Sequence, residues 1–247
     1  MRSSNPALGE NTFQESDHSN PMTMQGTVNK SFLLLFLLML SSFQTWQWAL
    51  PYIKSEQTGV ISGAITAAAI GGFVVALITI FAKRYAVFFA PLYALIEGVV
   101  IGGISAFFEN EYPGIVMQAS TLTFSIFAAL LLAYKTRMIR ATENFKLMVF
   151  AGTAGVAILY LIDIVLRFFG MEVPYIHETG AIGIGFSVVV VVIASLNLVL
   201  DFDFIESGVD NGAPKHMEWY AAFGLLVTLI WLYLELLKLL AKLRSSD

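Results

Sequence analysis

The sequence predicts an all-α, polytopic membrane protein of seven transmembrane helices, and three observations carry that prediction. The 247 residues are 57% hydrophobic and only 13% charged, where a soluble domain of this length carries roughly twice that charged share. Mean hydropathy is +0.74. The apolar residues fall into separate runs, each near the roughly 20 residues that one helical crossing needs.

The same composition excludes several function classes. A net charge of -4 offers no basic surface for nucleic acid. Cys is absent, which removes disulfides, thiol nucleophiles and Cys-metal sites. His18, His177 and His216 are far apart in the tail and loops, so no His-based metal cluster is expected.

Residues 1–30 are rich in Ser, Asn, Gln and Pro without an apolar period, and read as a disordered tail. A long polar stretch before the first apolar run is unlike a secretory signal peptide. Residues 31–247 form the seven-helix domain, with segments at approximately 31–52, 58–82, 85–108, 112–134, 146–169, 179–203 and 216–243. The first ends in Trp46, Trp48 and Tyr52, amphipathic rings suited to the interface. Gly63, Ala67 and Gly71 in the second segment, and Gly98 and Gly102 in the third, have the four-residue spacing that lets helix backbones approach closely.

Lys83 and Arg84 lie between segments two and three, and Lys135, Arg137, Arg140 and Lys146 between four and five. Positive loops stay inside, so the amino terminus is expected in the cytoplasm of a cell with this protein in its inner (plasma) membrane. The loops at Glu109–Glu111 and Glu172–Glu178 are then external. Lys238, Lys242 and Arg244 fall on the outer side, against the rule.

The chemistry, if any, resides in carboxylates. Asp201 and Asp203 close the sixth apolar run and lie about 200° apart round a helix, so one is expected to face the protein and the other water. The breakers Gly208, Gly212 and Pro214 place a turn at Ser207–Lys215. That turn returns Glu218 to the level of Asp201, Asp203 and Glu206. Carboxylates held close together cannot all ionise cheaply, which suits a proton or cation site; the alternative is a solvated anionic collar, and for Glu206 and Glu218 the collar is favoured. Glu97 stands about twelve residues into the third segment, with no Lys or Arg at its depth. A central acid costs roughly 2.5–3.5 kcal/mol on insertion scales, so Glu97 reads as functional. Asp163 with Arg167, and Glu235 with Lys238, have the spacing of intrahelical ion pairs. Glu235 lies seventeen residues beyond Glu218, roughly 25 Å along a helix.

No nucleophile elbow, phosphate loop, zinc-protease helix or dinucleotide fingerprint is present, so no enzyme is predicted and no cofactor is implied. A retinal protein would need a midmembrane Lys in its last helix, and Lys238 is too near the end.

Three places resemble the transmembrane Bax-inhibitor motif family, in particular its bacterial branch. Glu97-Gly98-Val99-Val100-Ile101-Gly102-Gly103-Ile104-Ser105, continued by Ile115-Val116, Ala119, Thr123 and Ile126-Phe127, is similar to the family signature. Leu200-Asp201-Phe202-Asp203 is similar to its Phe-Asp motif, and Met1-Arg2-Ser3-Ser4-Asn5-Pro6 to the opening of the bacterial branch. The resemblance implies a last helix surrounded by the other six. It also implies a pH-sensitive calcium leak, latched by one acid on each of the last two helices. Asp203 fits the first acid, with Asp201 its rival; the second position falls near Thr228, which cannot ionise, and segment two holds no basic partner.

The function expected is therefore a cation leak controlled by Asp203, Asp201, Glu97 and Glu218, in which Asp203 and Asp201 also offer oxygens to transient calcium. Its expected partners are lipid, calcium or other cations, protons and other membrane proteins. The alternatives are a non-conducting regulator of stress responses or proteolysis that acts through protein partners, and a proton-coupled transporter.

Overall fold

The computed structural model describes residues 20–171 and 180–245. Its helices are α1 (Met24–Lys54), α2 (Thr58–Phe81), α3 (Ala86–Glu111), α4 (Ile115–Lys135), α5 (Glu143–Phe168), α6 (Ala181–Asp210) and α7 (Met217–Ser245), with a single 3-10 turn at Lys83–Tyr85 before α3. All seven are long and apolar enough to cross a membrane. Residues 1–19 of the expected tail and the 172–178 loop lie outside the described residues.

Two boundaries differ from the sequence reading. Helix α1 begins at Met24 rather than near residue 31, because Thr23 caps it: the Thr23 Oγ1 accepts from the Gly26 N–H at 3.0 Å. Polar residues such as Gln25, Asn29 and Lys30 are thus its first two turns and not tail. Helix α6 continues through Asp210, so the turn spans 211–216 instead of beginning at Ser207. Gly208 is tolerated within the helix, and the break comes at Gly212, whose φ of 64° is a left-handed conformation that glycine adopts without strain. Asp201 and Asp203 are therefore two turns inside α6, not at its end.

The helices pack as two compact units. The first combines α1, α2 and α3 with Asp203–Val227, the end of α6 and the start of α7. In it α3 packs closely on α1: a Cβ at Gly98 would lie 2.6 Å from Ser41 Cβ and 2.7 Å from the Leu38 carbonyl, and one at Gly102 would strike the Ser42 carbonyl. Ser41 Oγ donates to the Leu95 carbonyl at 2.7 Å across the same seam. Gly63 and Gly71 on α2 face open space, so that part of the expected small-residue seam makes no helix contact. Gly72 and Ile65 on α2 do meet α3, at Glu97 and Gly103. Ala49, Ile53, Ile61 and Ala106 form a buried apolar cluster here.

The second unit holds Glu111–Phe202 with Thr228–Asp247, that is α4, α5, most of α6 and the later turns of α7. Phe202 packs edge-on to Phe127 at 5.7 Å and against Tyr134 at 5.8 Å. Asn197 Nδ2 donates to Thr153 Oγ1 at 2.7 Å, joining α6 to α5. Arg244 near the end of α7 donates to the Pro113 carbonyl and to Gln118 Oε1, although positive-inside counting gives it no favoured place. Of the seven helices α7 is the most enclosed, with 61% of its apolar window buried against 17% in α1, α2, α4 and α5.

Candidate proton and cation site

Several buried or half-buried carboxylates fall within the spans, and their surroundings differ. In the first unit Glu218, the second residue of α7, is fully buried at 0% exposure. Its Oε1 accepts from the Thr23 N–H at 2.8 Å, from Thr23 Oγ1 at 2.8 Å and from Lys215 at 2.9 Å. Its Oε2 pairs with Lys30. Gly26 makes room for the carboxylate, since any Cβ there would collide with it. A solvated collar is therefore the wrong description of Glu218; two lysines and a helix start enclose it.

Glu97 is the twelfth residue of α3 and half-buried. Its Oε2 stands 2.9 Å from where a Gly72 Cβ would be, so the carboxyl lies along α2 where glycine leaves space. It enters none of the ion pairs among the described residues. Tyr93, one turn earlier on the same face, stacks edge-on to Phe223 at 5.0 Å.

In the second unit Asp201 is the acid that faces inward. Its carboxyl shares a hydrogen bond with Thr228 on α7, while Oδ2 is shielded from solvent without a partner among the described residues. Trp46 Nε1 is the other such buried polar atom. Thr228 itself is 8% exposed. The family resemblance implied a position near Thr228 opposite Asp203, with Asp201 its rival; the hydrogen bond to Thr228 is made by Asp201. Asp203 and Glu206 are half-buried, belong to the first unit, and each interacts with a neighbour. Of the four carboxylates expected to cluster, Glu218 is donor-paired within the first unit and Asp201 sits with Thr228 within the second. No group of three or more Asp, Glu or His side chains is arranged to hold a metal among the described residues.

Glu235, 2% exposed, is held by Lys238 at 2.9 Å and by Tyr160 Oη, which lies 3.1 Å from each carboxylate oxygen. Lys238 also lies 5.0 Å over the Tyr160 ring. Arg167 Nε reaches Asp163 Oδ2 at 2.9 Å. Both pairs have the intrahelical form their spacing predicts. Tyr160 from α5 was not foreseen, because nothing in its own segment singles it out. Thr23 and Lys30 were also missed; a Thr ahead of a periodic run is a cap signal, but the polar composition masked it.

Seven helices long and apolar enough to cross a bilayer define a polytopic membrane protein. The chain belongs to the Bax inhibitor 1 like family, whose model matches residues 5–245. No curated protein matches the chain.

Proposed function

We propose that the protein is a proton-controlled cation leak, with calcium as its permeating ion, and that Asp201 is its sensing acid. What supports this is the Asp201 carboxyl: one oxygen bonded to Thr228, the other buried without a donor. Such a group can be completed by a proton or by a cation, and the two exclude one another. That competition is the simplest route from pH to flux. Thr228 adds a hydroxyl that can donate or accept, so it serves either state of the acid. Glu97, with its carboxyl along the Gly72 notch, is a second polar stop in the membrane. Asp203 stands two residues from Asp201, about half a turn along α6, and Glu218 acts as the fixed, paired acid.

The test is calcium flux into liposomes holding the purified protein, measured from pH 5 to 8. Asp201→Asn should abolish most of the pH dependence, and Glu97→Gln should change the rate or shape of the profile. A pH profile unchanged by Asp201→Asn removes Asp201 from the mechanism. Absence of flux from the parent protein favours a regulator that acts through protein partners. The same reading places the amino terminus in the cytoplasm of an inner membrane, from Lys83, Arg84 and the Lys135–Lys146 loop. A reporter fused after Arg140 should then report a cytoplasmic position.

A further inference from the structure

Around Glu218 the start of the described chain and the α6–α7 turn are tied together by polar contacts. Residues 20–22 run antiparallel to 213–215: the Met22 N–H donates to the Ala213 carbonyl at 2.6 Å and the Lys215 N–H to the Asn20 carbonyl at 3.2 Å. These two bonds bracket the Pro21–Pro214 pair. Met22 and Met217 are each 2% exposed beneath them. Thr23 then gives Glu218 two hydrogen bonds, and about two turns further Lys30 reaches its other oxygen. Lys30 also lies 5.5 Å over the Trp219 ring.

We propose that residues 20–30 are a releasable strap, which clasps the α6–α7 turn through Glu218 and, when it lets go, frees the first turn of α7 to move. Three features fit release better than permanent attachment. The ladder is only two hydrogen bonds long, so little backbone pairing is lost on opening. The tie converges on one carboxylate, so a single displacement undoes three of its contacts at once. Most telling is Lys215, which pairs with Glu218 at 2.9 Å from the α7 side of the clasp. When the strap leaves, Glu218 keeps a counter-ion and no buried charge is stranded, which is the usual obstacle to opening a buried ion pair. Gly26 serves the same design, because it lets the carboxylate enter and leave without passing a side chain.

The chain has no cysteine, so a single introduced thiol reports cleanly. In the full-length protein carrying Met22→Cys, reaction with a water-soluble maleimide should be slow. Adding Lys30→Met should raise the rate at least tenfold, and Lys30→Arg should restore the slow rate. Equal rates in the Met22→Cys protein with and without Lys30→Met overturn the strap. A second form avoids reliance on Lys30→Met folding well. Pro21 and Pro214 form a pair without mutual hydrogen bonds, for which a Cα separation of about 4.5 Å is usual and lies within disulfide range. Pro21→Cys with Pro214→Cys should cross-link on oxidation, and failure to cross-link counts against the docked strap. The effect of release on conduction rests on the cation-leak reading. Calcium flux should differ severalfold between the oxidised and reduced forms of this pair. Measurable but equal flux overturns that coupling; no flux in either form counts against the leak itself, and the labelling rates then decide the strap.

Discussion

Glu218 and Asp201 are both acids within apolar helices, and they are opposites in chemistry. Glu218 receives four donors: the Thr23 amide, the Thr23 hydroxyl, Lys215 and Lys30. Asp201 shares one hydrogen bond with Thr228 and has a buried oxygen without a partner among the described residues. A buried carboxylate surrounded by donors is fastened in one state, and its neighbours would suffer most from its loss. One that lacks donors is held only by packing, and is available to a proton or a metal ion. Burial therefore marks both acids as unusual, but the number of donors separates structure from chemistry.

Thermal unfolding of the purified protein sharpens this contrast. The largest loss is expected for Glu218→Gln, because it leaves Lys30 and Lys215 without their shared partner; removing one member of a buried ion pair costs about 3 kcal/mol. The Lys215 side chain is 42% exposed, which holds the effect to the lower part of the usual range. Glu235→Gln should cost less, about 1 kcal/mol, since the amide oxygen can still accept from Tyr160 and Lys238 is 45% exposed. It should leave the pH profile of flux untouched. Asp201→Asn is the smallest: within roughly 0.5 kcal/mol of the parent, or more stable, because no buried partner other than the adaptable Thr228 hydroxyl is deprived. A loss at Asp201 as large as that at Glu218 would show that Asp201 is also a fastening group and would break the comparison.

The helices were legible because a bilayer imposes length and apolarity, and both are properties of short windows of sequence. All seven runs became helices. The misreadings occurred where a helix continues through polar sequence. Gln25, Asn29 and Lys30 read as tail, since their helical state is secured by Thr23 and by an acid 195 residues away. Helix α6 runs seven residues past Asp203 because Gly208 alone does not stop a helix. The glycine pattern was informative on α3 and misleading on α2: spacing identifies a smooth face, and only packing says whether another backbone uses it. At the site, the sequence singled out Glu97 by its place well inside a segment, whereas it put Asp201 and Asp203 at the end of theirs, and they stand two turns inside α6. Donor count was only partly visible: Lys215 and Lys238 lie three residues from the acids they pair with, but Thr23, Lys30 and Tyr160 come from other segments. The choice between Asp201 and Asp203 turned on which side of α6 meets Thr228, a matter of rotation that local sequence does not specify.

The clasp at Glu218 has a consequence for how the protein is made. Lys30 and Glu218 are separated by 188 residues of chain. At about 5–20 residues per second of synthesis, Lys30 is in place for roughly 10–40 s before the acid that it pairs with exists. During that interval six helices have been delivered while the polar start of α1 remains without its counter-charge. Closure then coincides with the arrival of the final helix. A ribosome product cut short before Met217 can insert most of its helices, yet it always presents an unmatched Lys30 and an uncovered Met22, a chemical mark of incompleteness available to proteolytic surveillance.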